Sequence, residues 1–489
     1  MPRAVYLTAD IRRIEEAAGP VAPVLMERAG RAAAELAARI ARDKDILVLA
    51  GPGNNGGDAY EVATYLREQF FRVAVVSIAD ADSLAGDARG AMLKWRSAGG
   101  EILGSVPIDR SWGLVVDGLF GVGLAREISG DYAKLIAYVN SQPCPRLALD
   151  IPSGIESDTG RVLGSAIRAT HCLTFIALKP GLLTLDGPDH CGEVSVADLG
   201  LDATALVSPC GWVAGRDCFE EKLKPMPRNL HKGMAGSVCV LGGAAGMTGA
   251  ALLAARAALK LGAGRVYVGL LDHHAPSVDS GALELMLRHP DEALGMDLDA
   301  IVIGPGLGQG ERGEALVAAA LASEIPCVLD ADALNLIAAN EDLRRACATR
   351  KAESLLTPHP GEASRLLVIG TGQVQADRLG AARRIAAQFN ACALLKGNGS
   401  IIATPDGRWY VNSTGNPGMA SAGMGDVLSG VLGALLAQGQ SAESAAVIGA
   451  HLHGLAADHT ARAVDGPLGI TASETIAAAR RIHNAWRAG

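Results

Sequence analysis

Aromatic residues are scarce in this chain of 489 residues: Phe, Trp and Tyr together make up 4% of it. Its core must therefore be filled by Ala, Val and Leu, side chains short enough for helices to lie close on strands. Nine cysteines are scattered without a CxxC pair, which excludes a disulfide framework or a zinc ribbon and leaves reduced core thiols. There is no Lys/Arg block and the formal net charge is −8, so nucleic acid and anionic membranes are excluded as main partners, and any polyanionic ligand must be held locally. The N-terminus "MPRAVYLTADIRRIEEAAG" has no continuous apolar run, and no later stretch reaches membrane-spanning length without Gly, Pro or charge. No membrane partner and a cytoplasmic location are the expectation.

What is present points to a folded α/β enzyme. Hydrophobic residues reach 49%, charged residues 20%, and there are 60 glycines, a balance that rules out disorder, while the length exceeds what one core usually supports. In the first half, the strand-like runs "DILVLA" (45–50), "RVAVVSI" (72–78), "GLVVDGLFG" (113–121), "RLALDIPSG" (146–154) and "CLTFIAL" (172–178) alternate with helical stretches such as "GDAYEVATYLREQ". Such alternation predicts a parallel sheet covered on both faces. A weakly periodic, proline-bearing segment near 201–228 ends this block. The second block opens with "HKGMAGSVCVLGGAAGMTGAALLAARAALKLGAGRVYVGLL", a strand, glycine turn, Ala/Leu helix and strand. Further strand candidates are "DAIVIGPGLG", "PCVLDADAL", "ESLLTPHPGE" and "ACALLKGNGS", followed by a hairpin, "SIIATPDGRWYVN", turning at "PDG". The expected domains are residues 1–212 and 225–489, joined by a linker at 213–224.

Candidate chemistry in the first block gathers at strand ends. "VLAGPGNNGGDAYEVA" runs from strand through a glycine turn into a helix, a setting in which exposed amides and the helix dipole meet an anion. Asn54, Asn55 and Asp58 set it apart from an ordinary dinucleotide turn; the plain alternative makes Asp58 a helix cap. Asp117 and Asp150 each end a strand, and in an open parallel sheet such ends line one crevice. Asn55, Asp117 and Ser153 are hard oxygen donors suited to a cation.

In the second block, "GNPGMASAGMGDVLSGVLGALL" (415–436) puts Asp426 between a glycine-rich stretch and an apolar helix. A carboxylate there would oppose a bound phosphate, but it makes sense as the base that takes a proton from a hydroxyl attacking that phosphate. Gly423 and Gly425 would bring backbone amides to the transferring group. The alternative is an N-capping aspartate. Lys396, at a strand end in "KGNGS", offers charge to phosphate; His359, between two prolines, is rigidly presented. Asp330 and Asp332 either reach Mg²⁺ through water or cap the following helix.

The ordered runs "GPGNNGGDAYEVA", "DGLFGVGLAREISG", "LDIPSGIESDTG" and "ATHCLTFIALKPGLL" resemble the YjeF N-terminal family, the epimerase domain of the NAD(P)H-hydrate repair enzymes. That family interconverts the R and S forms of NAD(P)H hydrated on the nicotinamide ring (NADHX and NADPHX). The resemblance implies a Rossmann-like three-layer α/β/α domain in which Asn54, Asn55, Gly56, Gly57 and Asp58 contact the substrate. It further implies that Gly121, Val122, Gly123, Leu124, Ala125, Arg126 and Glu127 cradle phosphate, Asp150 lies at the reacting ring as acid and base, and Asn55, Asp117 and Ser153 bind K⁺.

From about residue 225, "HKGMAGSVCVLGG", "IVIGPGLG", "VLDADALN", "TPHPGEA", "LLKGNGSIIATPDG" and "NPGMASAGMGDVLSG" resemble the ADP- or ATP-dependent NAD(P)H-hydrate dehydratase branch of the ribokinase-like family. This implies a second α/β/α domain that phosphorylates the ring hydroxyl and then expels phosphate, with ADP preferred as co-substrate and Mg²⁺ at the site. Asp426 falls to the reacting hydroxyl; Gly425 to the anion hole; Lys396, Gly397, Asn398, Gly399 and Ser400 to the nucleotide; and Ala250, Gly306 and His359 to the hydrated dinucleotide. Ala422 and Met424 replace a more usual Gly and Thr, which implies tuned nucleotide affinity. The competing readings are a small-molecule alcohol kinase of the same fold and, for the first block, a binding or scaffold module. A homo-oligomer through the second block is expected.

Overall fold

The computed structural model describes residues 2–42, 44–80, 84–107 and 109–488. Two compact units are formed, Arg3–Gly211 and a second from Trp212 onward. Among the described residues no helix is long and apolar enough to cross a membrane.

In the first unit the five predicted strands are present as Ile46–Ala50, Val73–Val76, Leu114–Gly118, Arg146–Leu149 and His171–Phe175. Two strands that the sequence pattern did not disclose, Ile102–Leu103 and Glu193–Ala197, complete the two ends of a sheet whose neighbours are all parallel. The first is only two residues long, and the second is half exposed and so lacks an apolar run. Strand ends carrying Gly51, Asp117 and Asp150 thus share one edge, with Leu114–Gly118 between the other two. Helices Leu25–Ala41 and Asn54–Glu68 cover one face, packing against Val48, Val116 and Leu147.

In the second unit the strands run in the order Met286–Arg288, Arg265–Leu270, Ser237–Gly242, Ala300–Ile303, Cys327–Leu329, Ser354–Leu356 and Cys392–Leu395, each pair parallel. The predicted hairpin follows antiparallel, with Ala403 opposite Trp409. Gly407 adopts φ 92° at its turn, where glycine is needed. Residues 213–224 do not behave as a linker. Strand Gly211–Val213 lies beside Trp409–Asn412, and Ala214, Phe219 and Leu223 are buried in the second unit's core, so these few apolar residues tie the segment down.

The scarcity of aromatics has its counterpart in packing. Helix Met424–Ala437 crosses helix Thr248–Lys260 so closely that a methyl group on Gly430 would lie 2.0 Å from the Ala254 carbonyl oxygen. Gly430→Ala is therefore expected to destabilise the second unit by about 1–3 kcal/mol through overpacking, measured as a fall in the denaturation midpoint; an unchanged midpoint would contradict the crossing. All nine cysteines are free thiols.

Candidate functional site

In the first unit a cavity of about 680 Å³ opens at the carboxyl ends of the strands. Asn54, Asn55, Asp58, Asp150 and the segment Gly121 to Arg126 line it, as do Glu15 and Lys179; Gly56, Gly57 and Glu127 do not. Gly56 serves the turn instead, since a side chain there would meet the Gly51 carbonyl oxygen at 2.0 Å. The helix is capped by Gly53, and Asp58 lies five positions into the chain from that cap, so the capping alternative for Asp58 does not hold.

Asp150 occupies a left-handed backbone conformation, φ 64°, and its amide donates to the Leu173 carbonyl. One carboxylate oxygen, Oδ1, accepts from the Lys179 ammonium, the Phe175 amide at 3.1 Å and the Thr174 hydroxyl at 3.3 Å. Lys179 is fully buried and donates also to Thr174 Oγ1 and the Phe175 carbonyl, each at 2.8 Å. All three ammonium protons are thereby used, which holds Asp150 in one orientation with Oδ2 left for a ligand. Lys179 has no assigned role in the sequence reading. Its signal was available: a lysine inside the otherwise apolar run "FIALKPG" needs a buried partner.

Beneath the cavity, Asp117 is fully buried and binds Ser153 twice: the hydroxyl to Oδ1 at 2.6 Å and the amide to Oδ2 at 2.8 Å. Burial pushes the Asp117 carboxyl up to about 6, against the pull of these hydrogen bonds. Asn55 is 7% exposed, and among the described residues neither atom of its amide group finds a partner. A buried amide without a partner is rare. Its oxygen, with Asp117 and Ser153, forms a hard-oxygen set that fits a monovalent cation.

In the second unit Asp330 is the hub of the site. It is 1% exposed and accepts from Lys396 Nζ at 2.7 Å, Thr357 Oγ1 at 2.8 Å and Ser429 Oγ at 2.7 Å. Burial raises the Asp330 carboxyl, but Lys396 and the two hydroxyls outweigh it and hold it below the usual carboxylate range. The capping alternative does not describe this residue, which makes no side-chain cap to helix Ala331–Ala339. Asp332 instead accepts from the Gly308 amide at 2.9 Å. Lys396 turns its ammonium to Asp330 and lies 3.9 Å from Glu362.

Asp426 stands in the first turn of helix Met424–Ala437, whose cap, Gly423, has φ 86°. Its side chain caps nothing. Burial first, then the nearby Asp330 charge, push its carboxyl up to about 6, with Lys396 opposing. Gly425 lies against the Lys396–Asp330 pair: a methyl there would touch Lys396 Nζ at 3.4 Å and Asp330 Oδ2 at 3.8 Å. Met424 points inward and is buried in the core, so its side chain does not occupy the phosphate side. The loop 396–400 is shaped by Gly397 (φ 143°) and Gly399 (φ 62°), with Ser400 Oγ donating to the Gly397 carbonyl at 3.0 Å. His359 caps helix Pro360–Leu367: Nδ1 accepts from the Gly361 amide at 3.0 Å and Nε2 lies 3.1 Å from Glu362. Through Glu362 it joins the Lys396 network. Gly306 and Ala250 adjoin each other across the loop, with 3.3 Å between Ala250 Cβ and a methyl built on Gly306.

Two family models match the chain, "YjeF-related protein N-terminus" over residues 22–181 and "NAD(P)H-hydrate dehydratase" over 238–477. The bifunctional NAD(P)H-hydrate repair enzyme Nnr of Escherichia coli K12 is 38% identical, covering 99% of this chain and 95% of its own length; the Coxiella burnetii enzyme of the same name is 39% identical over 94% and 95%. The ADP/ATP-dependent NAD(P)H-hydrate dehydratase of Bacillus subtilis, co-crystallised with ATP and Mg²⁺, aligns with 56% of this chain and 98% of its own at 29% identity and a TM-score of 0.50. With both halves matched in order and likeness sustained over nearly the full length, the chain belongs to the bifunctional NAD(P)H-hydrate repair enzyme family.

Proposed function

We propose that the first unit interconverts the R and S forms of hydrated NADH and NADPH, and that the second dehydrates the S form with ADP, releasing NAD(P)H, AMP and phosphate. The observation that carries the second activity is Asp426: a half-buried carboxyl in the first turn of a helix, flanked by glycine amides and placed beside an ammonium that is already neutralised by Asp330. Asp426 takes the proton of the ring hydroxyl as its oxygen bonds to the terminal phosphorus, and the bond from that phosphorus to the nucleotide breaks. Gly423 and Gly425 amides receive the charge that builds on the migrating group. The phosphate ester then leaves with its bonding electrons as the ring nitrogen lone pair forms a C=N bond, and loss of a ring proton restores the dihydronicotinamide. Among the described residues the protein supplies no cage for Mg²⁺; the ion fits only as a companion of the nucleotide phosphates, and no step is assigned to it.

In the first unit Asp150, fixed by Lys179, serves as the acid–base group at the ring. K⁺ would be held by Asn55, Asp117 and Ser153, where its charge would balance phosphate and buried carboxylate. Incubating the protein with hydrated NADH and either ADP or ATP, and following recovery of the near-UV absorbance of the dihydronicotinamide, tests the whole reading. Absorbance returning with ADP and free phosphate supports it. A stable phospho-ester product would favour the alcohol-kinase alternative, against which the fused first unit already counts.

A further inference from the structure

Asp58 has no role above beyond lining the epimerase cavity, yet its situation is unusual. It is 9% exposed, faces the same cavity as Asp150, and among the described residues its carboxyl makes neither a hydrogen bond nor an ion pair. A carboxyl that lines a cavity, on a residue this buried and without a partner among the described residues, is placed for a ligand to complete it. The contrast with Asp150 is sharp, since that side chain is tied by Lys179, Phe175 and Thr174.

The two carboxyls also enter the cavity from separate places. Asp58 rides on the helix that follows strand Ile46–Ala50, Asp150 ends strand Arg146–Leu149, and strand Leu114–Gly118 runs between. They therefore reach the cavity from a helix and from a strand end, two different elements of the fold. When a carbinol carbon is inverted by loss and return of water, the hydroxyl departs from one face and water arrives on the other, so a single fixed carboxylate cannot serve both events from one side.

We propose that Asp58 is the general acid of the epimerase site, working across the cavity from Asp150; this rests on the epimerase reading given above. The Asp58 carboxyl donates its proton to the ring hydroxyl, the C–O bond breaks with its electron pair going to oxygen, and water is formed. The ring nitrogen lone pair closes a C=N bond, giving an iminium. Water adds to the opposite face, its oxygen supplying the new C–O bond and the C=N electrons returning to nitrogen, while Asp150 takes the released proton. One proton is given and one is taken, and the reverse reaction or exchange with solvent resets the pair. The electrostatics agree. Burial first, then the charges of Asp150, Glu15 and Glu61, hold Asp58 well above the usual carboxylate range, with Lys179 alone opposing. That direction suits the proton-donating role proposed for Asp58.

The test uses the full-length protein and purified R-NADHX, with kcat and KM for R-to-S conversion followed across neutral and alkaline pH. Asp58→Asn is expected to lower kcat by about 10²-fold or more with KM unchanged, and to remove the alkaline fall in kcat that the wild type shows as its acid deprotonates. Asp58→Glu is expected to regain part of kcat together with that alkaline fall. In ¹⁸O-labelled water the wild type is expected to place label in the product hydroxyl at each inversion. Wild-type kcat in Asp58→Asn, a kcat loss matched by a rise in KM, or inversion without label would overturn the assignment. A wild-type protein that does not interconvert the two forms would instead remove the epimerase reading itself.

Discussion

Asp426→Asn is expected to lower dehydratase turnover by about 10²- to 10⁴-fold, the usual contribution of a positioned base, while R-to-S epimerisation proceeds at the wild-type rate. The substitution keeps shape and removes only the capacity to accept a proton. KM for the nucleotide should change little, because in the proposed site the phosphates fall to loop 396–400 and backbone amides. The pH dependence follows from the same residue. Its carboxyl is raised to about 6 by burial, with Asp330 adding and Lys396 opposing, and it works only when ionised. Turnover is therefore full at neutral and alkaline pH and falls as pH drops through about 6, a limb that Asp426→Asn should lack. Full-speed turnover by the asparagine variant would remove the mechanism.

Much of this was legible in the sequence because parallel strands bury both faces and therefore read as continuous apolar runs. Ile46–Ala50, Leu114–Gly118 and Ser237–Gly242 are such strands, and the residue that ends each run falls at the edge where ligands bind. Asp117 and Asp150 were found in that way, and Asp426 from its place between a glycine-rich stretch and an apolar helix. What stayed hidden lacked a local signature. Strand Glu193–Ala197 is half exposed, and segment 213–224 is held by three isolated apolar residues whose partners lie elsewhere in the chain. The hub role of Asp330 could not be read from "VLDADALN", because its partners Thr357, Lys396 and Ser429 come from three other segments. Propensity favours such an aspartate as a cap, and tertiary pairing overrides it. His359 shows the converse: its rigid presentation was visible from the flanking prolines, and its capping of helix Pro360–Leu367 is the physical form this takes.

The proposed role of Asp150 in epimerisation comes together with a structural obligation, and the two can be separated. Asp150→Ala is expected to reduce R-to-S conversion to the spontaneous rate, leaving dehydration of supplied S-NADHX intact. It also strands Lys179, which is fully buried and pairs with Asp150 through its ammonium. Removing one partner of a buried pair costs about 3–5 kcal/mol, whereas replacing both by neutral groups of similar shape is often close to neutral. The single variant should therefore unfold at lower denaturant than the wild type, and the double variant Asp150→Asn with Lys179→Met should recover most of that loss. Recovery of stability must not bring recovery of epimerisation, since the proton carrier is absent in both. If the double variant interconverted the two epimers as the wild type does, Asp150 would be a structural anchor only; if the single variant were as stable as the wild type, the buried pair would not exist in solution. On the proposed reading catalysis and folding draw on the same ionic contact, which accounts for a lysine in the apolar run just past strand His171–Phe175: it fixes one oxygen of the carboxylate and leaves the other to meet the ring.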